Sequence, residues 1–319
     1  MCPYFCNYYV TLRCNSKCQF CGIWRKEENF SLQESGMETV KNNLRDLKKL
    51  GVKLIDYTGG EPLLYPHLID ALKEAKKMGF YTTITTNCLL YPKYAKDLAG
   101  LVDVMQFSFE SVDEETHNQI RGVKSYKNVL ESIEIAKKLK QKVYLIHTVT
   151  DENYSGLAGN VSFAQKNRCI IVLNPCFGYF DNKGVSKKAV EEIRKYRKEP
   201  YVLMDEANLK LIEHGGNDIN KPICKAVSST IVISPDNYLL LPCYHRHNKK
   251  IKINDNLSEI YNSREVKEIK KMDGRYEFCK NCTIYCYMRG SLYTNVFSRY
   301  FPLTARSAIK HLGERTRKQ

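Results

Sequence analysis

The sequence predicts an α/β protein: a partial (β/α)6 barrel of the TIM type followed by a small α+β cysteine-rich extension. Three observations predict it. Strand-like and helix-like segments alternate through the first ~200 residues, the pattern of a parallel sheet with crossover helices. Six such units occur without a seventh or eighth, which fits a barrel open on one side. After Asn174-Pro175 the character changes to a hairpin and a second group of cysteines.

Tyr8 to Leu12 is an apolar β-like run and forms the first strand. Gly36 to Leu50 is helical, with Val40, Leu44, Leu47 and Leu50 on one face and Gly51 as its stop. Lys53 to Thr58 is the second strand, and Pro66 to Met78 is a helix ended by Gly79. Phe80 to Thr85 is the third strand, Tyr91 to Ala99 a short helix, and Val104 to Phe109 the fourth strand. Ser125 to Leu139 is helical, Val143 to Thr148 is strand five, Leu157 to Lys166 is helical and Cys169 to Leu173 is strand six. Right-handed crossovers bring all the strand C-termini to one mouth, where functional residues are expected.

Beyond the barrel, Phe180 to Gly184 reads as a turn and residues 186 to 214 as helical. Thr230 to Ser234 and Tyr238 to Leu241 flank Pro235-Asp236-Asn237, a hairpin signal, and a helix runs near Leu257 to Met272. The expected division is a barrel at 1–205, an extension at 206–295 and a basic tail at 296–319.

Composition narrows the function classes. No run of 18 apolar residues exists, so no membrane span is expected. The segment Met1 to Cys6 lacks the basic and apolar regions of a signal peptide. Thirteen cysteines, an odd number gathered at metal-ligand spacings, point to a reducing cytoplasm rather than a disulfide framework. The net charge of +15 would attract nucleic acid, anionic lipid or an acidic partner. Lysine pairs on the helices, such as Lys48-Lys49, Lys76-Lys77 and Lys137-Lys138, favour a solvated surface as its origin.

The chemistry starts at Cys14-Asn15-Ser16-Lys17-Cys18-Gln19-Phe20-Cys21, where three thiols follow the first strand as C-x3-C-x2-C. Thiolates are soft ligands that suit iron–sulfur clusters or zinc. No fourth ligand follows locally, as a zinc knuckle would need. Three ligands on a four-iron cluster leave one iron open to a chelating molecule. This motif, with Phe20 before its third cysteine, resembles that of the radical S-adenosylmethionine (SAM) superfamily.

The resemblance extends along the barrel mouth. Gly59-Gly60-Glu61-Pro62 after strand two is similar to the family's GGEP motif, which implies a grip on the amino group of SAM. Glu61 would offer an acceptor for that ammonium, and glycines allow close backbone approach. Thr86 and Asn87 match a "TN" step lining the SAM pocket. Ser108 keeps the serine of a Ser-x-Asp-Gly segment expected near the SAM carboxylate or ribose, but Glu110 and Ser111 replace its Asp and Gly. Arg121-Gly122 resembles an "RG" step on the loop after strand four, whose guanidinium would bind the SAM carboxylate. His147 on strand five is a pocket candidate, although a satisfied core histidine is the commoner reading.

Cys224 precedes the hairpin, Cys243 follows it, and Cys279, Cys282 and Cys286 come after the last helix. This layout resembles the twitch domain, the short form of the SPASM extension, and implies an auxiliary 4Fe–4S cluster on Cys224, Cys243, Cys279 and Cys282. Cys286 is a fifth thiol that can replace one of the four, ligate a second cluster or stand near substrate. A four-thiolate zinc ribbon remains the alternative.

The function implied is reductive cleavage of SAM at a 4Fe–4S cluster to a 5′-deoxyadenosyl radical. That radical would take hydrogen from a peptide, a sugar or alcohol, or a cofactor precursor, with the auxiliary cluster assisting oxidation or bond formation. A reducing partner such as flavodoxin or ferredoxin is implied. Two rivals remain. One is a membrane-surface enzyme acting on a lipid, using a tail rich in Arg and Lys with an apolar face of Ala305, Ala308, Ile309 and Leu312. The other is a zinc protein that binds nucleic acid, disfavoured by the cysteine spacing and the GGEP motif.

Overall fold

The computed structural model describes residues 2–179, 182–294 and 298–316. Strands β1 (Phe5–Thr11), β2 (Leu54–Gly59), β3 (Tyr81–Thr86), β4 (Val104–Ser108), β5 (Val143–Val149), β6 (Ile170–Pro175) and β7 (Val202–Leu203) lie side by side in sequence order, all parallel. The first six are the predicted ones; β7 is too short, at two residues, to carry a periodic signal. The hairpin β8 (Thr230–Ile233) and β9 (Tyr238–Leu241) also forms, but it is not separate from the barrel. β8 pairs in parallel with the other edge of β1, matching Phe5 with Thr230 and Tyr8 with Ile233. β10 (Lys249–Lys252) then pairs antiparallel with β9 and ends the ten-stranded sheet.

The sheet has an outer face covered by helices and an inner face. Alternation along β1 sends Cys6, Tyr8 and Val10 outward into the main core and leaves Tyr9 on the inner side. The helices Met37–Lys49, Leu68–Lys77, Tyr91–Leu98, Tyr126–Lys138 and Leu157–Lys166 fill the outer face. The predicted stripe of the first is buried as Val40, Leu44, Leu47 and Leu50. Each fully buried leucine of this layer stabilises the fold by about 1.5–3 kcal/mol, and truncating Leu72 to alanine would cost ~2–5 kcal/mol.

Several local expectations are corrected. Residues 186–214 are not one helix. Lys187–Lys195 ends in a short 3-10 turn, Pro200 supplies no amide donor, Tyr201 takes a φ of +60°, and a new helix, Glu206–Glu213, starts after β7. The helix near Leu257 to Met272 breaks at Ser263, whose hydroxyl caps Arg264–Lys271 by accepting from the Val266 amide at 3.3 Å. Arg121 is not on a loop but is the last residue of the helix Glu114–Arg121, capped at its start by Asp113 and at its end by Gly122 at φ +63°.

The basic C-terminal segment folds as the helix Phe301–Arg315. His311 meets the Tyr144 hydroxyl at 3.0 Å and Glu314 accepts from the Tyr201 amide at 3.0 Å. The predicted apolar face is not what docks: Ile309 and Leu312 stay 71% and 61% exposed. Long-range hydrogen bonds, invisible to periodicity, orient the helix instead. Phe180 and Asp181 of the predicted turn, residues 295–297 and residues 317–319 lie outside the described residues.

Candidate active site

The loop Cys14–Cys21 crosses the mouth of the barrel at the end of β1. It rests on the end of the helix Glu114–Arg121. Lys17 donates its amide to the Arg121 carbonyl at 3.1 Å, and Gln19 donates to the Ile120 carbonyl at 3.0 Å. Gly122 is required there, because a Cβ would stand 2.4 Å from the Lys17 carbonyl oxygen. The Trp24 indole donates to the Cys18 carbonyl at 3.0 Å and Asn182 donates to the Phe20 carbonyl at 2.8 Å. Phe20 is half-buried, as are Cys14 and Cys21, while Cys18 is buried.

The segment after β2 is stitched to the entry of this loop. Gly60 donates to Thr11 at 2.9 Å and Glu61 donates to Arg13 at 2.8 Å. A Cβ on Gly59 or Gly60 would meet the Thr11 or Arg13 carbonyl oxygen at 1.8 or 2.1 Å. Both glycines thus serve backbone approach within the protein, and Pro62 opens a short 3-10 turn behind them.

The Glu61 carboxylate is buried and committed. Its Oε1 accepts from Thr86 Oγ1 at 2.7 Å and from the Leu63 amide at 3.2 Å; its Oε2 accepts from the Asn87 amide at 2.8 Å. It ties the ends of β2 and β3 together. Asn87 passes the connection to the loop, donating to Asn15 Oδ1 at 2.7 Å. The "TN" pair is therefore brought to the site by real contacts, and Ser108 lies buried at the end of β4.

Arg121 and Glu110 form a buried pair, Nη1 to Oε1 at 3.4 Å, while Thr148 donates its amide to Glu110 Oε2 at 3.1 Å. Burial pushes the Glu110 carboxyl up to about 7, against the pull of Arg121. Burial opposes the Arg121 charge, but Cys18, Glu110, Cys14 and Glu61 around it hold the guanidinium well above its ordinary range. The two shifts pull on one pair in opposite senses. We favour a raised Glu110, because one long contact to Arg121 and one amide donor from Thr148 offset its desolvation only in part.

The Arg121 Nε is buried without a partner among the described residues. His147 is buried; its Nδ1 donates to the Phe109 carbonyl at 3.1 Å and stands 3.6 Å from Glu110 Oε2, beside the Arg121–Glu110 pair. His117 accepts the Glu110 amide at Nδ1, 3.2 Å, so its Nε2 carries the proton toward Ser125 Oγ at 3.1 Å. Burial lowers that ring to about 3, in keeping with a neutral prop.

Residues 8–164 match the radical SAM superfamily. The chain carries a radical SAM domain. As a radical SAM protein it is an enzyme. It is similar to a probable GTP 3′,8-cyclase of Sulfolobus acidocaldarius, at 25% identity over 280 residues, covering 82% of this chain and 87% of that one. A second probable GTP 3′,8-cyclase, of Thermococcus kodakarensis, is 31% identical over 167 residues, so this chain spans about half of that relative (54%) and the match covers 51% of this chain. Among solved structures, native anSMEcpe with bound AdoMet and Cp18Cys peptide covers 98% of this chain and 96% of its own, with a TM-score of 0.65 and 17% identity. That likeness shows the fold alone, the partial TIM barrel of radical SAM enzymes.

The family implies a 4Fe–4S cluster and SAM, and the residues fit them. Three thiols on one loop offer donors of the right chemistry, and Cys14 and Cys21 each feel the charge of Cys18. Burial pushes the Cys14 thiol to about 12 and Cys21 to about 11, so their thiolates need a cation. Arg121 pulls the other way on all three, supplying positive charge beside them.

Four thiols of the second cysteine group share one pocket, although among the described residues no three His, Cys, Asp or Glu side chains stand close enough to hold a single metal ion. Cys224, Cys243, Cys279 and Cys282 line one cavity together with Ala226, Tyr287 and other residues. Cys286 does not line it; it is exposed, its sulfur 3.9 Å from His245 Nε2. One apolar cluster on the inner face joins both sites, with Cys21 at one side, Cys243 and Cys282 at the other, and Tyr9, Tyr244 and Tyr287 among them. Tyr9 and Tyr244 stack at 3.9 Å and Tyr9 bonds the Tyr287 hydroxyl at 3.0 Å. Sequence reading missed this aromatic wall; only the adjacency of Tyr244 to Cys243 hinted at it.

Proposed function

We propose that this radical SAM enzyme holds an auxiliary 4Fe–4S cluster on Cys224, Cys243, Cys279 and Cys282 and acts on a substrate bound on the inner face of the barrel between the two thiol sites. The observation that carries this reading is the lining of one cavity by those four thiols, in contact with the aromatic wall that also packs on Cys21. When bound, the first cluster and SAM supply a 5′-deoxyadenosyl radical, and the second cluster supplies a route for an electron leaving the substrate.

The chain's own residues hold and shield these groups. Cys14, Cys18 and Cys21 bind the first cluster and Arg121 offers its guanidinium to the SAM carboxylate. Backbone groups of Gly59 and Gly60 receive the amino group, with Glu61 as their brace, since its carboxylate is already filled by Thr86, Asn87 and Leu63. Asn87, Ser108 and Phe20 border the SAM pocket, and Glu110 sets the Arg121 side chain. Tyr9, Tyr244 and Tyr287 keep water from the space between the sites.

The substrate is a peptide or a small molecule. A peptide lies in the solved relative, and GTP is the substrate named for the curated ones. Flavodoxin or ferredoxin serves as reductant.

Anaerobic reconstitution followed by iron and sulfide analysis, and by dithionite with SAM, tests this. The expected result is iron for two clusters and release of 5′-deoxyadenosine. Replacing Cys14, Cys18 and Cys21 by alanine leaves one cluster and no 5′-deoxyadenosine. Zinc in the second site, with iron for one cluster only, would overturn the auxiliary cluster.

A further inference from the structure

The helix Tyr285–Thr294 packs against the short helix Ala226–Ser229 and meets the inner side of β1 at Tyr9. Tyr287 meets Tyr9 of β1, the Lys225 amide donates to Ser291 Oγ at 2.7 Å, and a Cβ on Gly290 would stand 2.8 Å from that of Ser229. With those positions turned to β1 and the helix Ala226–Ser229, helical spacing gathers Tyr285, Arg289 and Tyr293 on another side. The two tyrosine hydroxyls are committed: both donate to Asp205 Oδ2, Tyr293 at 3.4 Å.

Arg289 sits beside Tyr293 and feels the nearby charge of Asp205 without forming an ion pair to it. Its guanidinium carbon lies 5.6 Å from the Tyr293 ring centroid, its side chain is exposed, and among the described residues it forms no ion pair. From β2, Asp56 presents a carboxylate on the inner face, where it accepts from Thr83 Oγ1 at 2.5 Å. Burial pushes that carboxyl up to about 6, with Thr83 and the charge of Arg289 pulling it back. The guanidinium is therefore felt across the inner face yet stays beyond ion-pair reach of Asp56. A planar cation fixed by an aromatic ring in a partly enclosed space binds an anionic oxygen pair better than the same group at an open surface.

We propose that Arg289 anchors an anionic group of the substrate, a carboxylate or a phosphate, on the inner face of the barrel. This rests on the substrate lying there, as proposed above. The anchored end then sits about one helical turn from Cys286, on the side of the second thiol site.

Anaerobic isothermal titration of the reconstituted full chain with inorganic triphosphate and with glutarate tests the anchor. One of the two anions is expected to bind the wild type, triphosphate indicating a phosphate and glutarate a carboxylate. Arg289→Gln should weaken that binding about tenfold or more and flatten its salt dependence, whereas Arg289→Lys, which keeps the charge but not the planar fork, should fall between the two and keep the salt dependence. Equal binding by wild type and Arg289→Gln, or binding of neither anion, overturns the anchor. Dithionite-driven cleavage of SAM by the wild type is measured alongside. Its absence overturns the enzymatic reading itself; its presence with equal anion binding overturns only the role of Arg289.

Discussion

The side-chain oxygen of Asn217 accepts a hydrogen bond from the Cys224 amide at 3.2 Å. The same oxygen takes the Ile223 amide at 3.0 Å, and the side-chain nitrogen donates to the carbonyls of Gly274 and Cys279 at 2.8 and 3.2 Å. The Asn217 amide also donates to the Cys282 carbonyl at 2.9 Å. One buried asparagine thus sets the spacing of three of the four thiols that share a cavity. Asn217→Ala should leave several of these groups unpaired and cost on the order of 3 kcal/mol. Iron analysis should show the second site depleted while the first keeps its cluster, and thermal unfolding should shift downward.

Gly122 makes the comparable connection at the first site. Gly122→Ala would place a Cβ 2.4 Å from the Lys17 carbonyl at a φ of +63°. The left-handed backbone alone costs a side chain about 1–2 kcal/mol, and the clash adds to it. The Cys14–Cys21 loop should lose its seat. Brown absorbance after reconstitution and 5′-deoxyadenosine release are expected to fall together, with the second site still filled.

Cys286 stands outside the shared cavity, so Cys286→Ala should keep iron for two clusters. Cys279→Ala removes a cavity-lining thiol and should lose the second. Iron and sulfide counts on the two variants, side by side, decide whether the fifth thiol is a ligand.

Glu110 gives the fold a pH dependence. Its carboxyl is raised from an ordinary 4.5 to about 7, burial being the main cause. Between those values the folded chain keeps a proton that the unfolded chain has released. Stability is therefore full below pH 4.5 and is lost as pH rises toward 7, by about 3 kcal/mol in all. Glu110→Gln should flatten that part of the profile, measured by denaturant unfolding at stepped pH.

Much of the barrel could be read along the chain. Alternating strands and helices, the glycine stops and the buried stripe Val40, Leu44 and Leu47 are local patterns, and local patterns survive into the fold. The loop carrying Cys14, Cys18 and Cys21 was legible for the same reason, since the three thiols lie within eight residues of one another just after the first strand. The helix carrying Arg121 and the break at Pro200 were missed, because a helix of eight residues with few apolar positions leaves no clear stripe.

Sequence alone determined the order of the barrel elements and the gathering of three thiols on one loop, because both depend on neighbours a few residues apart. Tertiary structure decided the rest. It turned Glu61 from an open acceptor into a brace filled by Thr86 and Asn87, joined β8 to β1, and let four of five thiols meet while Cys286 stayed outside. It also laid Tyr287 against Tyr9, 278 positions earlier, which brings Arg289 to the inner face. Packing and hydrogen bonding across such distances are set by the assembled surfaces, and no spacing within one segment encodes them.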